Sequence, residues 1–105
     1  VPQSLTNLLY HLIFSTKNRE PLIDAALLPR LHDYLGGIIN EFRGGVIRIG
    51  GVADHVHILA HLPSTMTVAD AIRIIKSNSS GWVHRTFSQH AAFAWQSGYA
   101  AFSVS

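Results

Sequence analysis

Asp54-His55-Val56-His57-Ile58-Leu59-Ala60-His61-Leu62 carries the strongest structural signal in the chain. It has the length and apolar character of a strand, and on a strand alternate side chains share a face. His55, His57, Leu59 and His61 therefore fall on one side, while Val56, Ile58, Ala60 and Leu62 fall on the other. The wholly apolar set belongs against a core, so the histidines line the accessible face. Two imidazoles held side by side on a rigid sheet can grip one divalent cation through two nitrogens.

Working outward, Leu8 to Ser15 reads as a first strand, closed by Lys17-Asn18-Arg19-Glu20-Pro21. From Asp24, a candidate N-cap, Leu28, Leu31, Leu35, Ile38 and Phe42 recur at intervals of three and four. That stripe predicts a helix, with Pro29 tolerated in its first turn. Gly36-Gly37 inside it reads as a site of close helix–sheet approach, and Gly44-Gly45 as its end. Val46 to Ile49 predicts a second strand, turned by Gly50-Gly51 into the histidine strand. A second helix starts near Thr67, with Asp70 three residues on as a capping box and Val68, Ala71, Ile72 and Ile75 as its inner stripe. Its end is open, because Ser77 to Gly81 is poor helix material. Gly98 to Val104 reads as the last strand. The order β-α-β-β-α-β, with both helices on one face of a four-stranded antiparallel sheet, is a ferredoxin-like α+β architecture.

Composition bounds the function. The chain has 105 residues, 48% apolar and 13% charged, which fits one globular domain over 1–105 with one core. A net charge of +2 with seven histidines permits an anionic partner without requiring one. Cysteine is absent, which excludes a disulfide framework and a thiolate zinc site and accords with a cytoplasmic setting. No apolar run reaches membrane-spanning length, so no membrane partner is expected.

Asp54 to Leu59 matches the histidine–hydrophobic–histidine motif of the HUH endonucleases. Three further stretches, Tyr10 to Arg19, Ile74 to Trp82 and Trp95 to Ser105, agree in order. Together they resemble the single-tyrosine transposases of the smallest bacterial insertion sequences and their relatives tied to repetitive extragenic palindromes. The resemblance implies a homodimer that acts on single-stranded DNA folded into a hairpin. A tyrosine attacks a backbone phosphate and leaves a 5′-phosphotyrosine, and the motif histidines, here His55 and His57, hold Mg²⁺ or Mn²⁺. Imidazole ligation suits Mn²⁺ better than Mg²⁺.

In that family the nucleophile lies on a helix after the last strand, beside a further ligand that is usually glutamine. Here Ser105 falls within the last strand, and none of Tyr10, Tyr34 and Tyr99 matches the nucleophile position. The expectation is therefore no catalytic tyrosine within the chain, the nucleophile lying beyond Ser105, and a 105-residue chain that binds metal weakly and cleaves nothing.

Blander readings stand beside these. His61 reads as a surface histidine, and Trp82 and Trp95 as core. The side taken by His11 is not fixed, because its strand is apolar on both faces. Asp54 reads either as orienting a histidine or as a turn residue. Lys17, Arg19, Arg73, Lys76 and Ser77 are the candidate DNA contacts, with solvated charge as the alternative. Two other classes compete. One is a decayed or domesticated module that binds DNA hairpins without catalysis. The other is an unrelated metal enzyme. A histidine-triad hydrolase needs histidine where Leu59 stands, and a cupin needs a glutamate soon after the pair and many more strands.

Overall fold

Burial alternates strictly along the histidine strand, with every even position buried and every odd one half-exposed. The computed structural model describes residues 7–104. Its elements are β1 (Asn7–Ser15), α1 (Leu27–Glu41), β2 (Gly45–Val52), β3 (His55–Pro63), α2 (Val68–Thr86) and β4 (Ala100–Val104). The strands form one antiparallel sheet in the order β2-β3-β1-β4. This is the ferredoxin-like α+β fold that the sequence predicts. Among the described residues, no helix is long and apolar enough to cross a membrane.

The core lies between the helices and one face of the sheet. Leu12 and Phe14 of β1 and Val56, Ile58 and Ala60 of β3 meet Leu31, Leu35 and Ile39 of α1 and Ile72, Ile75 and Val83 of α2. Truncating any of the large ones to alanine costs about 2–5 kcal/mol. Because the two central strands put alternate residues into this layer, their remaining residues stand together on the uncovered face. Those are His11, Ile13 and Ser15 on β1 and His55, His57, Leu59 and His61 on β3.

Helix signals behave as read, with local corrections. The Asp24 carboxylate accepts from the Leu27 amide at 2.8 Å, capping a helix that begins at Leu27. Thr67 accepts from the Asp70 amide at 3.0 Å, and α2 runs unbroken through Ser77–Gly81 to Thr86. Buried Ser79 and Val83, with stacked Trp82, hold that polar stretch helical against its weak propensity. Gly36-Gly37 is not a close approach: a Cβ at Gly36 would meet only Ile49 at 3.8 Å, and one at Gly37 would meet nothing. α1 ends at Glu41 with Arg43, not glycine, in the left-handed conformation (φ 69°). Gly50-Gly51 is not the hairpin turn either. Both lie within β2, and the turn is Ala53-Asp54. The last strand starts at Ala100, two residues later than read, after a loop held by Lys76.

Candidate metal centre

His55 and His57 project from β3 onto the uncovered face, with ring centroids 6.2 Å apart and planes inclined by 32°. Two imidazoles bound to one ion through nitrogens about 2.1 Å away bring their centroids to roughly 4.6–5.3 Å at cis-octahedral or tetrahedral angles, so these rings would close by about 1 Å to share an ion. β3 is hydrogen-bonded on both sides, so its side chains project from the most constrained part of the sheet.

Each ring is positioned by a neighbour. The Nδ1 of His55 lies 3.0 Å from the Asp54 carboxylate, which fixes Nδ1 as the protonated nitrogen and leaves Nε2 free to ligate. The His55 imidazole, opposed by partial desolvation and helped by Arg19, holds the Asp54 carboxyl below its ordinary pKa. Arg19 Nε stands 3.7 Å from the other carboxylate oxygen. Asp54 is therefore both the turn residue and the orienting one. His57 lies over Gly50, its cross-strand partner, where a Cβ would fall 2.5 Å from Cε1 and 2.8 Å from Nε2. Only glycine leaves that space for the ring.

The turn that carries Asp54 is braced from two sides. Thr16, fully buried, donates its amide to the Asp54 carbonyl at 2.9 Å and sets its hydroxyl within 3.1 Å of the same oxygen. Asn18 and Arg19 take left-handed backbone (φ 55° and 54°), and the Asn18 amide donates to Gln96 Oε1 at 2.8 Å. Two consecutive non-glycine residues in that region are strained, and such strain collects at functional sites.

Of the predicted DNA contacts, the fold brings Lys17 and Arg19 to the histidine end of the sheet. It places Arg73, Lys76 and Ser77 on α2, in the layer behind the sheet. Arg73 pairs with Asp70 at 3.6 Å. The Lys76 ammonium donates to the carbonyls of Gln96, at 2.7 Å, and Gly98, and burial lowers its pKa. Its observed work is to fasten the approach to β4. His61 shares the uncovered face, but its Nδ1 is buried without a hydrogen-bond partner. Trp82 stacks on Tyr34, and Trp95 packs edge-on against Phe14 and Phe93 while donating to Ser79 Oγ at 2.9 Å, so both are packing residues.

Sequence reading left the side of His11 open, took Gly50 for a turn residue and did not single out Arg48. His11 lies edge-on to His57 at 5.8 Å, and Arg48 lines the same depression as both histidines. Their strands lack clean alternation, and nothing local in the sequence marks a bulge. Among the described residues no third His, Cys, Asp or Glu joins the pair in a metal-binding cluster. The donor set thus fits an ion that keeps open positions for water or substrate oxygens.

The fold is thus a half-covered antiparallel sheet that displays the His55–His57 pair on its open face. The chain belongs to the IS200-like transposase family, whose model (Transposase IS200 like) matches residues 4–105. Its fold is similar to that of a candidate transposase from Deinococcus radiodurans, with 24% identity and a TM-score of 0.79 over 94% of this chain and 80% of that one. It is also similar to a REP-associated tyrosine transposase bound to a REP hairpin, with 12% identity and a TM-score of 0.71 over 95% of this chain and 58% of that one. No curated protein matches the chain.

Proposed function

We propose that this domain is the metal-binding and DNA-binding part of a transposase that cuts and rejoins single-stranded DNA at hairpin-forming ends through a 5′-phosphotyrosine. The observation that carries the reading is the oriented His55–His57 pair on the open face. A bound Mn²⁺ or Mg²⁺ would supply charge stabilisation at a phosphoryl oxygen. The chain's own contribution is geometric. Asp54 sets the tautomer of His55, Gly50 makes room for His57, and β3 puts both residues on the uncovered face.

Lys17 and Arg19, at the histidine end, are the phosphate contacts of this reading. Arg73 and Ser77 would serve only a hairpin stem passing over the helix layer. The nucleophile is unassigned: Tyr10 packs against the core and Tyr34 stacks on Trp82 in the helix layer. Tyr99 is exposed, one residue ahead of β4. The reading includes a homodimer and a cytoplasmic setting, which the family likeness supports.

The test uses Mn²⁺ titration followed by electron paramagnetic resonance, hairpin binding by fluorescence anisotropy, and denaturing gels for a covalent adduct. The 105-residue chain should bind Mn²⁺ and the hairpin and form no adduct. His55→Ala and His57→Ala should each lose Mn²⁺ while keeping the hairpin. Wild-type Mn²⁺ affinity in both variants would refute the metal role. A hairpin bound with no Mn²⁺ affinity in the wild type would favour the non-catalytic binding module.

A further inference from the structure

The pairing of β2 with β3 steps from Val46↔Ala60 to Arg48↔Leu59, leaving Ile47 without a partner. Such a bulge re-aims side chains, and bulges concentrate beside active sites. Here it leaves two successive residues, Ile47 and Arg48, both exposed. Both line a depression of about 270 Å³ whose other walls are His11, His57 and Leu59. An apolar group and a guanidinium are thereby brought beside the candidate metal ligand.

The strand registers extend this into a line. Arg48 pairs with Leu59, Leu59 with His11, and His11 with Phe102, so a cation, an aliphatic chain, an imidazole and a phenyl ring cross the open face in one row. Phe102 is 57% exposed. The adjacent row on the same face is Gly50, His57, Ile13 and Ala100, which holds one histidine of the candidate pair, and the row beyond it, Val52, His55 and Ser15, holds the other. Rows on one face lie about 6.6 Å apart, close to one nucleotide of extended single strand. Among the described residues Arg48 has no ion-pair partner, whereas Arg19 and Arg73 are both paired.

We propose that the row Arg48–Leu59–His11–Phe102 is the subsite for the nucleotides next to the phosphate at the metal pair. The inference rests on the function proposed above and adds the means of holding the strand. Arg48 takes the neighbouring phosphate. The flat faces of His11 and Phe102 stack unpaired bases, with Ile47 and Leu59 as an apolar floor. Duplex bases are already stacked and hide their faces, so the row selects single-stranded DNA.

The experiment measures binding of a hairpin oligonucleotide with a single-stranded flank carrying 2-aminopurine, across a salt series, alongside Mn²⁺ titration. Phe102→Ser should weaken binding about tenfold and relieve the quenching of 2-aminopurine, as loss of one stacked base does. Arg48→Gln should weaken binding and reduce the salt slope by about 0.7, the value for one single-strand phosphate contact. Phe102→Ser should also keep wild-type Mn²⁺ affinity, since Phe102 lies on β4 and both candidate ligands lie on β3. Unchanged hairpin affinity and quenching in both variants, with wild-type protein binding hairpin and Mn²⁺ normally, overturns the row and leaves the parent reading intact. Failure of the wild type to bind hairpin overturns the parent reading instead. A changed oligomeric state by light scattering, with hairpin affinity unaltered, identifies the row as a contact between copies and also overturns the proposal.

Discussion

Substituting Gly50 by alanine should separate metal binding from folding. The added methyl would sit 2.5 Å from Cε1 of His57 and must gain about 0.9 Å to reach ordinary contact at 3.4 Å. The obstructing group is the far end of a side chain that pivots about two torsions. A shift of that size at the ring edge needs a rotation of about 15°, which costs less than the roughly 0.5–1.5 kcal/mol of a 30° departure from a rotamer. Alanine also has less freedom than glycine in the unfolded chain, which offsets part of that cost. The melting temperature should therefore move by only a few degrees. Metal ligation is less forgiving, because donor distances hold within about 0.2 Å. Mn²⁺ affinity should fall by about 10- to 100-fold, as it does when a ligand loses its orientation. Gly51→Ala is the contrasting variant. Its methyl would meet the His55 carbonyl and the Val56 Cα, which are backbone and cannot swing aside. That substitution should destabilise the fold by about 2 kcal/mol or more. Calorimetric titration with Mn²⁺ and thermal melts of both variants decide the matter. A folded Gly50→Ala protein with wild-type Mn²⁺ affinity would refute the placement of His57 as a ligand.

Further predictions concern the groups around the site and the core. Asp54→Asn should lower Mn²⁺ affinity about tenfold or more by freeing the His55 tautomer, with little change in melting temperature; equal affinity would remove Asp54 from the site. Thr16→Val should cost about 1–3 kcal/mol in urea unfolding, because a buried hydroxyl and the polar groups it serves lose their bond. Burial, with the charge of His57 second and opposed by Asp33, pulls the pKa of His32 below its ordinary 6.5. The unfolded chain then binds this proton more readily than the fold, so the contribution is fully present above pH 6.5 and is lost as pH falls towards the lower folded pKa. His32→Leu should flatten the stability difference between pH 7.5 and pH 5.5, and an unchanged difference would exclude His32 as its source. Lys76→Met should loosen β4 and lower stability by about 1–3 kcal/mol; a stable variant with weakened hairpin binding would show instead that Lys76 serves DNA.

The sequence carries the elements whose signals are periodic. β3 alternates so regularly that both its conformation and the facing of His55 and His57 follow from Asp54 to Leu62 alone. Both helices announce themselves by stripe and cap. Legibility fails where a residue is chosen for what a distant segment needs. Gly50 and Gly51 look like a turn because glycine pairs often make turns, yet here they clear space for a ring and a carbonyl on the neighbouring strand. Lys76 looks like a free cation on a polar helix surface, but two carbonyls some twenty residues later claim it. The bulge at Ile47 depends on the register between two strands, and no local pattern encodes that register.

The division of labour between the sheet faces explains why so small a domain can hold an exposed site rigidly. Each central strand sends every second residue into one apolar layer, so the position of His57 is tied to Val56 and Ile58, which are both fully buried. Moving either histidine by slipping the register would turn the whole apolar set of β3 outward, a change the core forbids. The rigidity of the candidate site is thus inherited from packing on the opposite face. It follows that mutations in the core near Ile58 should weaken Mn²⁺ binding in proportion to their loosening of β3, whereas equally destabilising mutations in the remote half of α1 should not. Ile58→Val and Ile39→Val each remove one methyl group and cost about 0.5–1.5 kcal/mol. Matched for stability, the Ile58 variant should show the larger fall in Mn²⁺ affinity, and equal falls would mean that the site's geometry depends on global stability and not on the strand that carries it.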